Sequence, residues 1–120
     1  MIIPLRDDAE YPRLVFAHDV DDRDMAPHGY RGDVVVELGD SEAFPVYFYD
    51  PDAIREELDG RIRSGFGRFV AEPGLVVIPE ITLAGMKSSV LELIEVGYFT
   101  HLRPCEDRQQ QNAAPDRALR

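Results

Sequence analysis

Hydrophobic and polar residues alternate along two neighbouring stretches near the middle of the chain. Residues 33–38 and 44–49 place large apolar side chains at every second position, which is the period of a half-buried β-strand. Residues 39–42, Gly-Asp-Ser-Glu, separate the two stretches and are typical of a turn. The pattern therefore predicts a β-hairpin over residues 33–49.

A helical pattern follows the hairpin. Asp50 suits the position that caps a helix N-terminus, and Pro51 is favoured at the first helical position. Gly65 is a typical C-terminal stop. Between them we expect one apolar stripe at helical spacing. It consists of Ile54, Leu58 and Ile62.

The same order of signals recurs 32 residues further along the chain. Residues 68–71 and 75–78 are predicted strands, Thr82 is a predicted N-cap and Gly97 a predicted helix end. The apolar stripe of this second helix consists of Met86, Val90 and Ile94. Two units of similar plan, ββα–ββα, are therefore expected.

These elements predict an α+β fold. We expect a two-layer sandwich in which a mostly antiparallel sheet carries both helices on one face, with an additional N-terminal strand at residues 11–16. Residues 18–32 are rich in aspartate, glycine and proline and predict an acidic irregular loop. Residues 103–120 have few large apolar side chains and predict a disordered C-terminal tail. The expected domain is residues 1–102.

Strand alternation divides the predicted sheet into two faces. The face expected to pack on the helices carries Val34, Val36, Leu38, Phe44, Val46, Phe48, Val76 and Ile78. The opposite face carries Val35, Tyr47, Tyr49, Leu75 and Val77. This second face is too apolar for an ordinary solvated surface. The alternatives are that the N-terminal segment covers it or extends the sheet, that a second copy forms a homodimer on it, or that a partner protein or small ligand binds there.

The charge of the chain is concentrated in its first half. The formal net charge is −10, and residues 1–59 hold 16 acidic residues against five arginines, a net charge of −11. A field of this sign repels nucleic acid and anionic membrane and attracts a basic protein. The single cysteine and the absence of an apolar leader or a long apolar run predict a cytoplasmic protein.

An exposed acidic stripe is predicted on the first helix, with further acids in the hairpin turn. We expect these residues to form a partner-binding acidic surface, since like charges at helical spacing do not stabilise the helix itself. The predicted surface consists of Asp40, Glu42, Asp52, Glu56 and Asp59. Whether they lie together in space depends on the fold.

Candidate chemistry is sparse. The only dense cluster of possible metal ligands is in the 18–32 loop and consists of His18, Asp19, Asp21, Asp22 and His28. Carboxylate and imidazole ligands suit a divalent cation, but Asp24 and Tyr30 occupy the positions where a calcium loop of the EF-hand type needs glycine and glutamate. A solvated acidic loop is the favoured interpretation, and we expect no cofactor and no catalytic residues.

The leading hypothesis is a non-enzymatic acidic protein that binds a basic partner. Bacterial immunity proteins and related inhibitors of basic toxins have this general profile: they are small, acidic α+β proteins without catalytic motifs. No family motif is present in this chain. The first alternative is a homo-oligomeric regulatory or small-ligand-binding domain built on the apolar sheet face. The second alternative is a small metal-dependent hydrolase centred on the 18–28 cluster.

Overall fold

The computed structural model describes residues 1–102. These residues form an α+β fold with a five-stranded mixed sheet, three α-helices and a 3-10 turn. The strands are β1 (Ile2–Pro4), β2 (Arg13–Phe16), β3 (Tyr30–Gly39), β4 (Glu42–Tyr49) and β5 (Leu75–Val77). The helices are α1 (Asp22–His28), α2 (Pro51–Ser64) and α3 (Leu83–Glu95), and the 3-10 turn is Tyr98–His101.

The strands lie in the sheet in chain order, from β1 to β5. The first three pairings are antiparallel, whereas β5 pairs parallel to β4. The parallel pairing follows from the connection, because α2 and the segment after it carry the chain back along the sheet, so that β5 begins beside Tyr47 and runs in the direction of β4. The predicted hairpin is confirmed as β3 and β4, and the N-terminal segment extends the sheet through β2 and β1.

The predicted N-caps of α2 and α3 and the predicted C-terminal stop of α2 are confirmed. The Asp50 carboxylate accepts a hydrogen bond from the Ala53 N–H at 2.7 Å, and Gly65 adopts a left-handed conformation with φ 78° where α2 ends. At α3 the Thr82 hydroxyl accepts from the Gly85 N–H at 3.0 Å. Helix α3 ends at Glu95, two residues before the predicted stop at Gly97.

The core lies on one face of the sheet, under α3. Six of the eight residues predicted for the helix-facing side are fully buried, and Leu38 and Val76 pack against them while partly exposed. Met86 and Val90 bring α3 into this core. The buried strand residues are Leu14, Phe16, Val34, Val36, Phe44, Val46 and Phe48.

The expected placement of both helices on one face is not confirmed. None of the residues of α2 is buried, and Ile62, in its predicted apolar stripe, is 50% exposed. Ala53 and Glu57 of α2 instead share a cleft with Tyr49. The side chain of Tyr49 points to the opposite face of β4 from its buried neighbour Phe48, since successive strand residues alternate.

The ββα–ββα repeat is not confirmed either. Residues 68–71 form no strand, and the side chain of Phe69 is 66% exposed. Strand β5 therefore has no hairpin partner before it and pairs with β4 instead. The resemblance between the two units is limited to their strand–cap–helix order.

The expected irregular loop at residues 18–32 is also corrected. It contains α1, which is capped by the Asp21 carboxylate and ends at Gly29 in a left-handed conformation. Asp22 and Asp24 lie in the first turn, where the helix dipole favours negative charge. The predicted C-terminal tail, residues 103–120, lies outside the described residues.

Candidate functional site

An open cleft lies between α2 and the adjoining ends of β3 and β4. Its volume is about 810 Å³. Tyr30 opens β3, Tyr49 closes β4, and the two residues are paired across the antiparallel ladder. The remaining lining comes from the end of α1 and from α2. The lining residues are His28, Tyr30, Tyr49, Ala53, Glu56, Glu57, Asp59 and Arg63.

Two tyrosines form one wall of the cleft. The ring centroids of Tyr30 and Tyr49 are 4.7 Å apart, and the rings are tilted by 55°. Tyr30 lies over Gly32, where an added Cβ would come within 2.0 Å of the phenol oxygen. Glycine at position 32 therefore leaves the space that the ring of Tyr30 occupies. Tyr30 remains 43% exposed and presents a broad aromatic surface to solvent.

Burial and nearby negative charge raise the pKa of both phenols above the ordinary value. Burial, the neighbouring Tyr30 and the carboxylates of Glu57 and Glu72 raise the pKa of Tyr49 to about 12, partly opposed by Arg61. Burial, Tyr47 and the same two carboxylates also raise the pKa of Tyr30. At neutral pH both phenols are protonated, and each hydroxyl can donate and accept a hydrogen bond.

Carboxylates line the opposite wall. Glu57 forms an ion pair with Arg61, at 3.1 Å, and Arg61 also reaches Glu72 at 3.4 Å. Glu56 and Asp59 are exposed on the cleft side of α2. The lining thus combines three carboxylates with the guanidinium group of Arg63 and two phenols. Such a surface suits a cationic, planar side chain, which can pair with carboxylate and stack on an aromatic ring.

The five residues of the predicted acidic surface are distributed along α2 and the hairpin. The structure brings Glu56 and Asp59 together in the cleft, and Asp52 lies in the first turn of the same helix. Asp40 and Glu42 lie at the other end of β4, and its eight residues separate its two ends by about 23 Å. Asp40 there accepts a hydrogen bond from the Tyr11 hydroxyl at 2.9 Å.

The predicted interface residues lie on the face of the sheet opposite the core. Tyr47 is paired with Leu75, and Tyr49 with Val77, in the β4–β5 ladder. Val35 lies on the same face in β3. All are half-buried except Val77, which is 48% exposed. Of these five residues, Tyr49 alone lines the cleft.

The predicted metal ligands have separate structural roles. Asp21 caps α1, and Asp22 accepts a hydrogen bond from the Leu83 N–H of α3. The backbone carbonyls of His18 and Asp19 accept hydrogen bonds from Arg31, and His28 lines the cleft. Among residues 1–102, no three histidine, cysteine or acidic side chains are grouped so as to hold a metal ion.

Tyr30 is not among the residues predicted from the sequence, although it forms half of the aromatic wall. Residues 18–32 carry no strand alternation that would assign its side chain to a face. The Tyr-x-Gly spacing is the local signal that an aromatic ring lies across a strand glycine, but this spacing is common and points to no function alone.

Comparisons with known proteins give no further indication of function. In the part of the chain that the structure describes, no helix has the length and apolar character that crossing a membrane requires. No protein-family model matches the chain, and neither the curated proteins nor the solved structures give a significant match.

Proposed function

We propose that this protein is a non-enzymatic binding protein whose acidic surface on α2 engages a basic partner protein. The observation that carries the proposal is the cleft in which Glu56, Glu57 and Asp59 face the Tyr30–Tyr49 pair. Tyrosine is enriched at the energetic centres of protein interfaces, and an arginine from the partner fits both walls of such a cleft. An inhibitor or immunity protein of a basic toxin is the kind of protein that matches this surface.

Long-range charge supports the same proposal. The net charge of −11 in residues 1–59 includes α1, the hairpin and most of α2. Charge of one sign on this scale attracts a basic protein and speeds its association. Added salt screens this attraction. Association is expected to slow by at least about tenfold when ionic strength rises from low to above physiological values.

The test is affinity capture of a basic protein from a lysate of the native host. It compares two double variants of the chain that carry the same charge reversal at different places. In the double variant Glu56→Lys and Asp59→Lys, capture of a basic protein at low salt is expected to be lost. The control is Asp7→Lys with Asp8→Lys, which makes the same charge change at exposed residues outside the cleft. Thermal unfolding verifies that both variants fold. Equal capture by the two variants would refute the role of the cleft.

A homo-oligomeric domain is the second candidate, because one row of the sheet face opposite the core is entirely apolar. Ile2, Val15, Val35 and Pro45 are adjacent in register across four strands. Ile2 is 56% exposed, and the other three are half-buried. Size-exclusion chromatography with light scattering tests this candidate. A dimer that Val35→Lys dissociates would support it, and a monomer at high concentration would remove it.

A further inference from the structure

Strand β5 is an edge of the sheet, and its outward backbone groups can be identified from its hydrogen bonds. Gly74 C=O accepts from Tyr47 N–H, and Ile78 N–H donates to Tyr49 C=O, at 2.9 Å each. These groups face β4. Since successive residues of a strand turn their backbone groups to opposite sides, Val76 also faces β4, whereas Val77 N–H and C=O and Leu75 C=O face away from it. Such an edge is a template for another strand.

An apolar groove runs beside this edge, on the core side of the sheet. It has a volume of about 480 Å³ and lies between β5 and the last turns of α3. Val76 lies on the strand side, and Leu93 and Val96 lie on the helix side. Val96 is 77% exposed. A large apolar side chain is thus presented to solvent on the helix side of the groove.

The charge at the groove is of one sign. Glu92 and Glu95 line it and are exposed, whereas no basic residue among residues 1–102 lines it. A bound strand would direct every second side chain toward the groove, the side on which Val76 lies. An apolar side chain in that series would contact Leu93 and Val96. A lysine or arginine two residues away in the same series would lie near the two carboxylates.

We propose that β5 and α3 form a binding groove for an extended segment of a partner protein, which adds to the sheet as a sixth strand. The segment carries an apolar side chain flanked at alternate positions by basic ones. Backbone hydrogen bonds to Leu75 and Val77 supply affinity, and the groove supplies specificity, as in other cases of strand addition. Helix α2 contributes no residue to this groove, so the inference does not depend on the proposed function.

The probe is a blocked hexapeptide of sequence Arg-Thr-Val-Thr-Arg-Thr, titrated into the isotopically labelled full chain. We expect saturable shifts of the amide resonances of Val77, Ser89 and Val96. The counterpart with glutamate in place of arginine is expected to bind at least about tenfold more weakly, because it meets like charge at the groove. Equal binding of the two peptides, or no binding of either, overturns the proposal.

Backbone pairing is tested with two further peptides of the same sequence, N-methylated at the odd or at the even positions. Only one of these sets of amides faces β5, so one peptide is expected to bind and the other to lose binding. Loss in both peptides, or in neither, contradicts strand addition. In the protein, Val77→Pro removes the outward N–H at an edge position that tolerates proline. It should weaken binding about tenfold, the loss of roughly one hydrogen bond.

A second pair of variants covers the event that Val77→Pro disturbs the fold. Val96→Asn removes an exposed apolar side chain from the groove, and Phe69→Asn removes a similarly exposed one elsewhere. Only Val96→Asn is expected to weaken peptide binding. Sedimentation of the free protein tests whether a second copy of the chain binds at the edge instead of a partner protein. A dimer that dissociates in Val77→Pro would make a second copy the natural partner of the edge and overturn the proposal.

Discussion

Asp22 in the first turn of α1 accepts a hydrogen bond from the backbone N–H of Leu83 at the start of α3, at 2.8 Å. The two residues are 61 positions apart in the chain. Thr82 caps the same helix through the Gly85 N–H, so two side chains from different elements satisfy the first turn of α3. The negative charge of Asp22 also lies at the positive ends of two helices.

Removing this contact is expected to loosen the attachment of α1 to α3. Asp22→Ala should lower the free energy of unfolding by about 1–2 kcal/mol, the usual cost of losing an N-cap. Asp24→Ala is the matched control, because Asp24 occupies the same turn of α1 and its carboxylate makes no hydrogen bond or ion pair with residues 1–102. Urea denaturation measures both. Equal losses would mean that helix dipole effects, and not the contact with Leu83, dominate.

Gly29 ends α1 and lies against Asp50, which caps α2. It adopts φ 69°, and an added Cβ would lie 2.7 Å from both carboxylate oxygens of Asp50, the cap of α2. Gly29→Ala should therefore cost about 2 kcal/mol, partly from the left-handed backbone and partly from the displaced cap.

Gly65 provides the control for this substitution. It has φ 78° but an added Cβ would meet nothing within 4 Å. Gly65→Ala should therefore cost only the backbone part, about 1 kcal/mol. Thermal unfolding of the two variants gives the difference that belongs to Asp50. If both variants lose the same stability, the cap tolerates the added methyl group.

The hairpin and both long helices were predictable because their signals are local. The strand alternation, the Asp50–Pro51 cap and the Gly65 stop all lie within the elements that they specify. The position of β5 was not predictable in the same way, because residues 75–77 carry an apolar run that fits either pairing direction. The crossover through α2 decides the direction, and that is a property of the whole chain.

The candidate site was predictable only in part, for the same reason. Glu56 and Asp59 could be identified as an exposed stripe on one helix. Their neighbours Tyr30 and Tyr49 come together only through the register of β3 with β4. Helix α1 was not predictable from composition, because the proline and four aspartates of residues 18–32 favour a loop. The Asp21 cap and the glycine at position 29 are nevertheless ordinary helix boundaries.

Asp33 makes the stability of the fold dependent on acid pH. Although burial alone would raise the pKa of this carboxyl, hydrogen bonds from Arg31 and from the His18 N–H hold it below its ordinary value. Its contribution to stability is therefore present above about pH 4 and is lost as the pH falls through the lowered folded-state pKa.

The variant Asp33→Asn tests this contribution. It should lower the free energy of unfolding by about 1–3 kcal/mol near neutral pH, because hydrogen bonds to a charged carboxylate are lost. This loss should become smaller as the pH falls below about 4. The control Asp59→Asn removes an exposed carboxylate and should change stability little at either pH. Urea denaturation from pH 7 downward measures both. A constant difference between Asp33→Asn and the parent chain would contradict the assigned role.

Tyr49 imposes the corresponding dependence at alkaline pH. Its folded-state pKa of about 12 exceeds the unfolded value of about 10, so its contribution to stability is complete below about pH 10 and is lost as the pH rises through about 12. Of the five tyrosines, Tyr49 is expected to ionise late in an ultraviolet titration by stopped-flow pH jump, and Tyr49→Phe identifies its signal.

Variants of the neighbouring carboxylates separate the causes of the raised pKa of Tyr49. Glu57→Gln removes one of the charges that raise the pKa of Tyr49 and should move its ionisation to lower pH. Glu56→Gln is the matched control, since Glu56 lines the same cleft but is not one of the main causes of the raised pKa of Tyr49. Equal shifts in the two variants would indicate that the overall charge of α2 sets the potential at the cleft. A shift confined to Glu57→Gln would show that the Glu57 carboxylate acts directly on the aromatic wall, where the guanidinium group of a basic partner is proposed to bind.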